Sequence, residues 1–140
     1  MSKLLYCIRH GLAEHNINYS KYGLSTFYDP NYVDTSLIPE GFQQAIELRN
    51  NWKQLNSIEL VIVSPLKRTL QTAVELFKEH PVPMISLECS REYPMGLQTC
   101  NKRTCLGSLA GVSFFLLCIC QASAVINNLI PSSSTCRLAR

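Results

Sequence analysis

The stretch Leu4-Leu5-Tyr6-Cys7-Ile8-Arg9-His10-Gly11 decides the fold, because an apolar run changes abruptly into a polar cluster and a glycine. Such a pattern is typical of a buried β-strand that runs into a loop. The run Leu60-Val61-Ile62-Val63 repeats the pattern and is followed by Ser64-Pro65. The sequence therefore predicts two buried strands, each with polar residues after its carboxyl end.

Helical spacing of apolar residues predicts two helices. One covers Gly41 to Leu55, and the other runs from Leu66 to about Lys78 with Ser64 as its expected N-cap. A third short strand is predicted over Pro83 to Leu87, and residues 18–38 have no clean period and are expected to form a long loop. Strands that alternate with helices predict an α/β domain with a mostly parallel sheet.

Length, charge and cysteine use restrict the class of protein. The chain has 140 residues, with 13 Lys and Arg against 10 Asp and Glu. This length predicts one domain, and the scattered charge offers no basic face for nucleic acid. The N-terminal residues lack the apolar run of a secretory signal, so we expect a cytoplasmic protein with reduced thiols at its seven cysteines. No Cys-x-x-Cys pair occurs, and no metal site is predicted.

Polar residues follow both predicted strands, and the carboxyl ends of parallel strands meet at one edge of a sheet. Arg9 and His10 follow the first strand, and Ser64 to Arg68 follows the second. An imidazole at this edge can attack phosphorus, provided that cationic and amide donors neutralise the phosphoryl oxygens. Arg9, Arg68 and the amides that open the second helix are the candidate donors.

Four short motifs follow one another along residues 1–104. They are Ile8-Arg9-His10-Gly11 with His15-Asn16; Asp34-x-x-Leu37 with Gly41 and Gln44-Ala45; Val63-Ser64-Pro65-Leu66-x-Arg68-Thr69-x-Gln71-Thr72-Ala73; and Arg91-Glu92 with Gly96 and Cys100-Asn101-Lys102-Arg103. In this order they resemble the histidine phosphatase superfamily, also called phosphoglycerate mutase-like. The resemblance implies a three-layer α/β fold, a mostly parallel sheet flanked by helices, that is incomplete at its C-terminal end.

The resemblance also implies an enzyme that hydrolyses or transfers a phosphomonoester through a phosphohistidine. His10 corresponds to the nucleophile and Glu92 to the general acid. Arg9, Asn16 and Arg68 correspond to the residues that hold the phosphoryl group. Protonation of a leaving alkoxide needs a carboxylic acid, which agrees with the role assigned to Glu92.

Weaker candidates surround these residues. Gly11 belongs to the signature, and His15 is a candidate for phosphate contact, with local hydrogen bonding as the alternative. Asp34 is expected to order a loop as a hydrogen-bond acceptor. The implied partner is a small phosphorylated substrate, with no cofactor and no nucleic acid, and the sequence does not indicate an oligomeric state.

The chain departs from the family pattern at two points. Ile38 stands where the family has a threonine before the helix at Pro39. The family's second catalytic histidine has no counterpart, because no histidine follows His80. Two functions therefore stay open: a slow phosphohistidine enzyme, and a non-catalytic phosphate-binding or membrane-tethered protein.

Composition changes at Cys105, and the resemblance ends at about Thr104. Residues 105–140 contain no Asp or Glu, which separates a phosphatase-like part, 1–104, from an apolar, Cys- and Ser-rich tail. Residues 106–126 are uncharged and long enough for a membrane span, which is not the favoured interpretation. The run Val112–Cys120 suits a buried central strand. A third hypothesis is that the tail results from a retained intron, a frameshift or an early stop.

Overall fold

The computed structural model describes residues 4–92, Thr99 and residues 135–139. It confirms an α/β arrangement of parallel strands and helices. The elements are strand β1 (Leu4–Ile8), helix α1 (Glu14–Tyr22), 3₁₀ segments Gly23–Tyr28 and Pro30–Tyr32, helix α2 (Pro39–Asn51), 3₁₀ segment Leu55–Ser57, strand β2 (Val61–Val63), helix α3 (Lys67–Leu76), strand β3 (Met84–Ser86), 3₁₀ segment Glu88–Ser90 and strand β4 (Thr135–Ala139).

The four described strands form two parallel pairs. β1 pairs with β4, so that Leu4 lies opposite Thr135. β2 pairs with β3, so that Val61 lies opposite Met84. Within the described residues no ladder joins β1 to β2. The parallel pairing agrees with the prediction, and the described strands form two separate sheets.

The core of the described residues lies where α2 and α3 cover β2 and β3. Leu55, Leu76 and Phe77 form one buried cluster, against which Trp52 packs. A second buried cluster contains Val63, Leu70 and Ala73. Apolar residues at helical spacing on α3 therefore form its buried face, as the sequence predicts.

The loop predicted over residues 18–38 is largely helical. Its first residues continue α1 to Tyr22, and two 3₁₀ segments follow. Apolar periodicity could not reveal α1, because His15 is its one buried residue. The helix packs through a polar side chain, and this leaves no hydrophobic stripe in the sequence.

The expected N-cap of α3 is wrong. The helix begins at Lys67, and its N-cap is Leu66 in an extended conformation, not Ser64. The carboxylate of Asp34 instead accepts a hydrogen bond of 2.6 Å from the Lys67 N–H. A carboxylate at a helix N-terminus accepts a hydrogen bond from an otherwise unpaired amide, and its negative charge interacts favourably with the positive end of the helix dipole. This bond confirms the expectation that Asp34 orders a loop.

The loop after β1 crosses the first turn of α2 in direct backbone contact. A Cβ atom on Gly11 would overlap the carbonyl oxygen of Gly41, and a Cβ atom on Gly41 would overlap that of Leu12. The Ile38 N–H donates to the Leu12 carbonyl at 3.1 Å. The Leu12 N–H donates to Oε1 of Gln44 at 2.8 Å. This crossing fixes the loop on which His10 lies.

None of the helices in the described ranges has the length and apolar character needed to cross a bilayer. The predicted span 106–126 and the predicted strand Val112–Cys120 lie outside the described residues.

The substitution Gly41→Ala is expected to lower the free energy of unfolding by about 1–3 kcal/mol, because the new methyl group meets backbone that cannot move independently. Gln43→Ala, at an exposed position of the same helix, is the control and is expected to change it by less than about 0.5 kcal/mol. Urea denaturation of both variants tests this. Equal midpoints for the two variants would contradict the crossing.

Candidate active site

His10 lies directly after β1 and is half-buried. Its Nδ1 lies 2.7 Å from the carbonyl oxygen of Gly11. Since a carbonyl only accepts hydrogen bonds, Nδ1 carries the proton, and Nε2 of the neutral ring holds a free lone pair. Burial lowers the pKa of His10, the Gly11 carbonyl opposes this, and the positive charges of Arg68 and Arg9 lower it further. The ring is thereby kept in the form that can act as a nucleophile.

His15 is buried beside His10, and the two ring centroids are 5.7 Å apart. Its Nδ1 lies 2.6 Å from the hydroxyl of Thr35, and its Nε2 lies 3.1 Å from Nδ2 of Asn16. Burial lowers the pKa of His15 to about 3, and the charge of Arg68 contributes in the same direction. His15 therefore forms a neutral wall of the site, with both ring nitrogens in hydrogen bonds.

The side-chain amide of Asn16 is oriented by the backbone. Its Oδ1 accepts a 2.9 Å hydrogen bond from the Ala13 N–H, so Nδ2 faces His15 and donates to its ring. Asn16 thus links the start of α1 to the site. Its contact with phosphate stays a prediction.

Arg68 is the buried cation of the site, and its side chain is 1% exposed. It projects from the first turn of α3. Its Nη1 donates to the Thr99 carbonyl at 2.9 Å, and its Nη2 lies 3.3 Å from Oε2 of Glu92. Its charge acts on the pKa of both His10 and His15. The structure therefore brings together the two motifs that the sequence placed after separate strands.

Glu92 and Arg9 lie at the open side of this cluster. The side chain of Glu92 is 64% exposed, and its carboxylate pairs with Arg68. Its negative charge acts on His10, as does the positive charge of Arg9, which is exposed. Both residues are placed to meet a ligand that approaches from solvent. The general-acid role of Glu92 and the phosphate-binding role of Arg9 stay predictions.

Polar residues on the helices connect the parts of the site. The Thr72 hydroxyl accepts a 3.0 Å hydrogen bond from the Gly11 N–H and donates to the Arg68 carbonyl at 2.8 Å. Oε1 of Gln71 accepts from the Leu37 N–H at 2.8 Å. Sequence reasoning included both residues in a motif but assigned them no role. No local pattern distinguishes them, because polar side chains make up more than half of the helix Lys67–Leu76.

The part of the chain that the structure describes contains no set of side chains that could bind a metal ion. No group of three or more His, Cys, Asp or Glu side chains is placed there to coordinate one. The chemistry of the described site consists of an imidazole, guanidinium groups and a carboxylate.

The chain matches the family model of the histidine phosphatase superfamily (branch 1) over residues 5–104. It belongs to this superfamily. Two similar proteins come from Arabidopsis thaliana. A phosphoglycerate mutase-like protein is 42% identical, and the match covers 54% of this chain and 28% of that protein. Phosphoglycerate mutase-like protein 1 is 38% identical, and the match covers 54% of this chain and 27% of that protein. The match thus spans little more than a quarter of these relatives.

Among solved structures, phosphoserine phosphatase from Entamoeba histolytica in complex with 3-phosphoglyceric acid is 30% identical to this chain. The match covers 61% of this chain and 38% of that one, with a TM-score of 0.42.

Stability is expected to fall as the pH drops from about 6.5 towards 3, because the unfolded chain then protonates an imidazole that the fold keeps neutral at His15. His15→Gln removes this proton uptake and is expected to reduce the stability lost between pH 7 and 4.5 by about 1–2 kcal/mol. Urea denaturation at the two pH values measures this, with His80→Gln as the control. An unchanged acid sensitivity in His15→Gln would disprove the assignment.

Proposed function

We propose that this chain binds a small phosphomonoester beside His10 and takes up its phosphoryl group on Nε2 of that residue. The observation that carries the proposal is the 2.7 Å contact between Nδ1 of His10 and the Gly11 carbonyl, which leaves Nε2 as the free lone pair. The lowered pKa of His10 supports the same role, because the lone pair persists at neutral pH. Membership of the histidine phosphatase superfamily agrees with it.

Arg68 is the proposed anchor of the phosphoryl group. Its guanidinium is buried and held by the Thr99 carbonyl, so its orientation is set before a ligand arrives. A guanidinium forms two parallel hydrogen bonds with a phosphoryl group and stays charged at every physiological pH. A bound phosphate would compete with Glu92 for Nη2 and release the Glu92 side chain, which acts as the acid in its protonated form, towards the leaving group. Arg9 adds a second cation at the open side.

The proposed reaction has two steps. In the first, Nε2 of His10 forms a bond to phosphorus while the ester P–O bond breaks, and the leaving oxygen takes a proton from the carboxyl group of Glu92. In the second, water attacks phosphorus, the P–N bond breaks, and a proton returns to Glu92. Fixed cations around the phosphoryl oxygens stabilise the charge of both transition states.

Labelling of His10 is the direct test. We expect incubation with p-nitrophenyl phosphate to place a phosphoryl group on the tryptic peptide that begins at His10, detected by mass spectrometry under neutral to alkaline conditions that preserve phosphohistidine. His10→Ala is expected to abolish both labelling and turnover, whereas His80→Ala, outside the site, retains them. Turnover that survives His10→Ala would refute the proposal.

Arg68→Lys is expected to weaken the binding of inorganic phosphate at least about tenfold, because an ammonium group cannot reproduce the two-pronged contact. Arg49→Lys is the matched control, since Arg49 pairs with Glu75 and Glu79 away from the site. Isothermal titration calorimetry measures both affinities. Equal affinities in the two variants would contradict the anchoring role.

The same measurements identify the second candidate function, phosphate binding without turnover. Its signature would be calorimetric binding that requires Arg68 while no phosphoryl group appears on His10. Cytoplasmic residence likewise stays a prediction from the N-terminal sequence.

A further inference from the structure

The segment after α1 forms an open concavity of about 690 Å³, which lies within the range of about 300–1,000 Å³ found for small-molecule sites. Residues of the two 3₁₀ segments and their flanks form its lining, which we call the tyrosine pocket: Tyr22, Ser25, Thr26, Tyr28, Asp29 and Tyr32. His10, Arg68 and Glu92 are not among these residues. The pocket is therefore separate from the site proposed for phosphate.

The three tyrosine rings of the pocket are open to a ligand. Tyr22 is 66% exposed and Tyr28 is 59% exposed, while Tyr32 is half-buried. Among the described residues none of these three rings packs against another aromatic ring. Tyr19 differs in this respect, because its ring stacks on Phe27 with the centroids 5.0 Å apart. The faces of three electron-rich rings are therefore not used by ring contacts within the described fold.

The carboxylate of Asp29 is the one formal charge among the lining residues. Its Oδ1 accepts two hydrogen bonds of 2.8 Å from Asn31, one from the backbone N–H and one from Nδ2. These bonds hold the carboxylate in one orientation, and no hydrogen bond within the described residues reaches Oδ2. Since no lysine or arginine lines the pocket, its charge is complementary to a cation.

Backbone turns hold the tyrosines around this carboxylate. The Asp29 N–H donates to the Thr26 carbonyl at 3.4 Å, and the Tyr32 N–H donates to the Asp29 carbonyl at 3.1 Å. The Ser25 hydroxyl donates to the Tyr22 carbonyl at 2.8 Å. The lining is thus ordered before a ligand arrives, which reduces the conformational entropy lost on binding.

A buried hydroxyl in the lining has an unmet hydrogen bond. Thr26 is 2% exposed, and its Oγ1 has no hydrogen-bond partner among the described residues. Buried polar atoms are nearly always paired with protein, water or a ligand. This hydroxyl is a second, independent indication that the pocket receives a ligand.

The chemistry of the lining selects the class of ligand. The faces of tyrosine rings attract cations, and aromatic pockets of this kind recognise quaternary ammonium groups in particular. A metal ion such as Ca²⁺ needs several oxygen ligands, whereas the lining offers one carboxylate. An anion finds no positive group there. An organic cation is thus the ligand that fits both the rings and the charge.

We infer that the tyrosine pocket binds a soluble organic cation with a quaternary ammonium group. The rings of Tyr22, Tyr28 and Tyr32 contact its methyl groups, and Asp29 supplies the counter-charge. The inference does not rest on phosphoryl transfer, because none of the residues assigned to that reaction lines the pocket.

Titration of the full chain with choline chloride, followed through amide chemical shifts by NMR, tests this inference. We expect saturable shifts in residues 22–32 that an equal concentration of sodium chloride does not produce. The ligand control is the uncharged isostere of choline, in which a tert-butyl group replaces the trimethylammonium group. It is expected to bind at least about tenfold more weakly, because it has no charge for the ring faces to attract.

Variants separate the contribution of the rings from that of the carboxylate. Tyr28→Leu is expected to weaken choline binding about two- to fivefold, whereas Tyr28→Phe keeps the ring face and the affinity. Asp29→Asn removes the charge but keeps the oxygen that accepts from the Asn31 N–H, and it is expected to weaken binding about two- to fivefold. Glu47→Gln, at an exposed carboxylate of α2, is the matched control and is expected to leave the affinity unchanged.

Four results would overturn the inference. The absence of saturable shifts in residues 22–32 at tens of millimolar choline would show that the pocket does not bind this class of ligand. Equal binding of choline and its uncharged isostere would show an apolar pocket that does not recognise charge. An equal loss of affinity in Tyr28→Phe and Tyr28→Leu would assign the contact to the hydroxyl and not to the ring face. Retention of the chain on phosphatidylcholine vesicles without binding of free choline would identify a membrane contact instead.

Discussion

The hydrogen bond from the Gly11 N–H to the Thr72 hydroxyl is the contact on which the site depends. It joins the loop after β1 to α3, and the same hydroxyl continues to the carbonyl of Arg68. The bond joins residues that are 61 positions apart in sequence, and through it the positions of His10 and of the buried guanidinium are coupled. The bond requires the loop to come close, and this approach is possible because neither Gly11 nor Gly41 carries a side chain at the crossing.

The charge distribution follows from this arrangement. Arg68 keeps a positive charge under almost complete burial, which is costly unless hydrogen bonds and a counter-charge compensate. The Thr99 carbonyl and Glu92 supply that compensation, while His10 and His15 stay neutral beside it. The site thus combines one buried cation, two uncharged imidazoles and an exposed carboxylate. An anionic ligand would relieve the positive potential that remains, and this is the physical basis for proposing a phosphate ester.

Several elements could be predicted because their signal is local. The apolar runs before Arg9 and Ser64 predicted β1 and β2, and apolar spacing predicted α2 and α3 close to their observed positions. The grouping of His10 with Arg68 also followed from sequence, since residues after parallel strands share one edge. Helix α1 and the cap of α3 could not be predicted in this way. α1 packs through His15 and not through an apolar stripe, and the cap comes from Asp34, 33 residues before the amide that it binds.

The sequence by itself determined the α/β class, the family and the identity of the chemical groups at the strand ends, because each depends on short-range patterns. Only the tertiary structure decided which hydrogen bonds and ion pairs these groups form. In it, Nδ1–H of His10 donates to the Gly11 carbonyl, the amide of Asn16 faces His15, and Glu92 pairs with Arg68. These features depend on contacts between distant segments, whose geometry is set by packing and is not written in any local pattern.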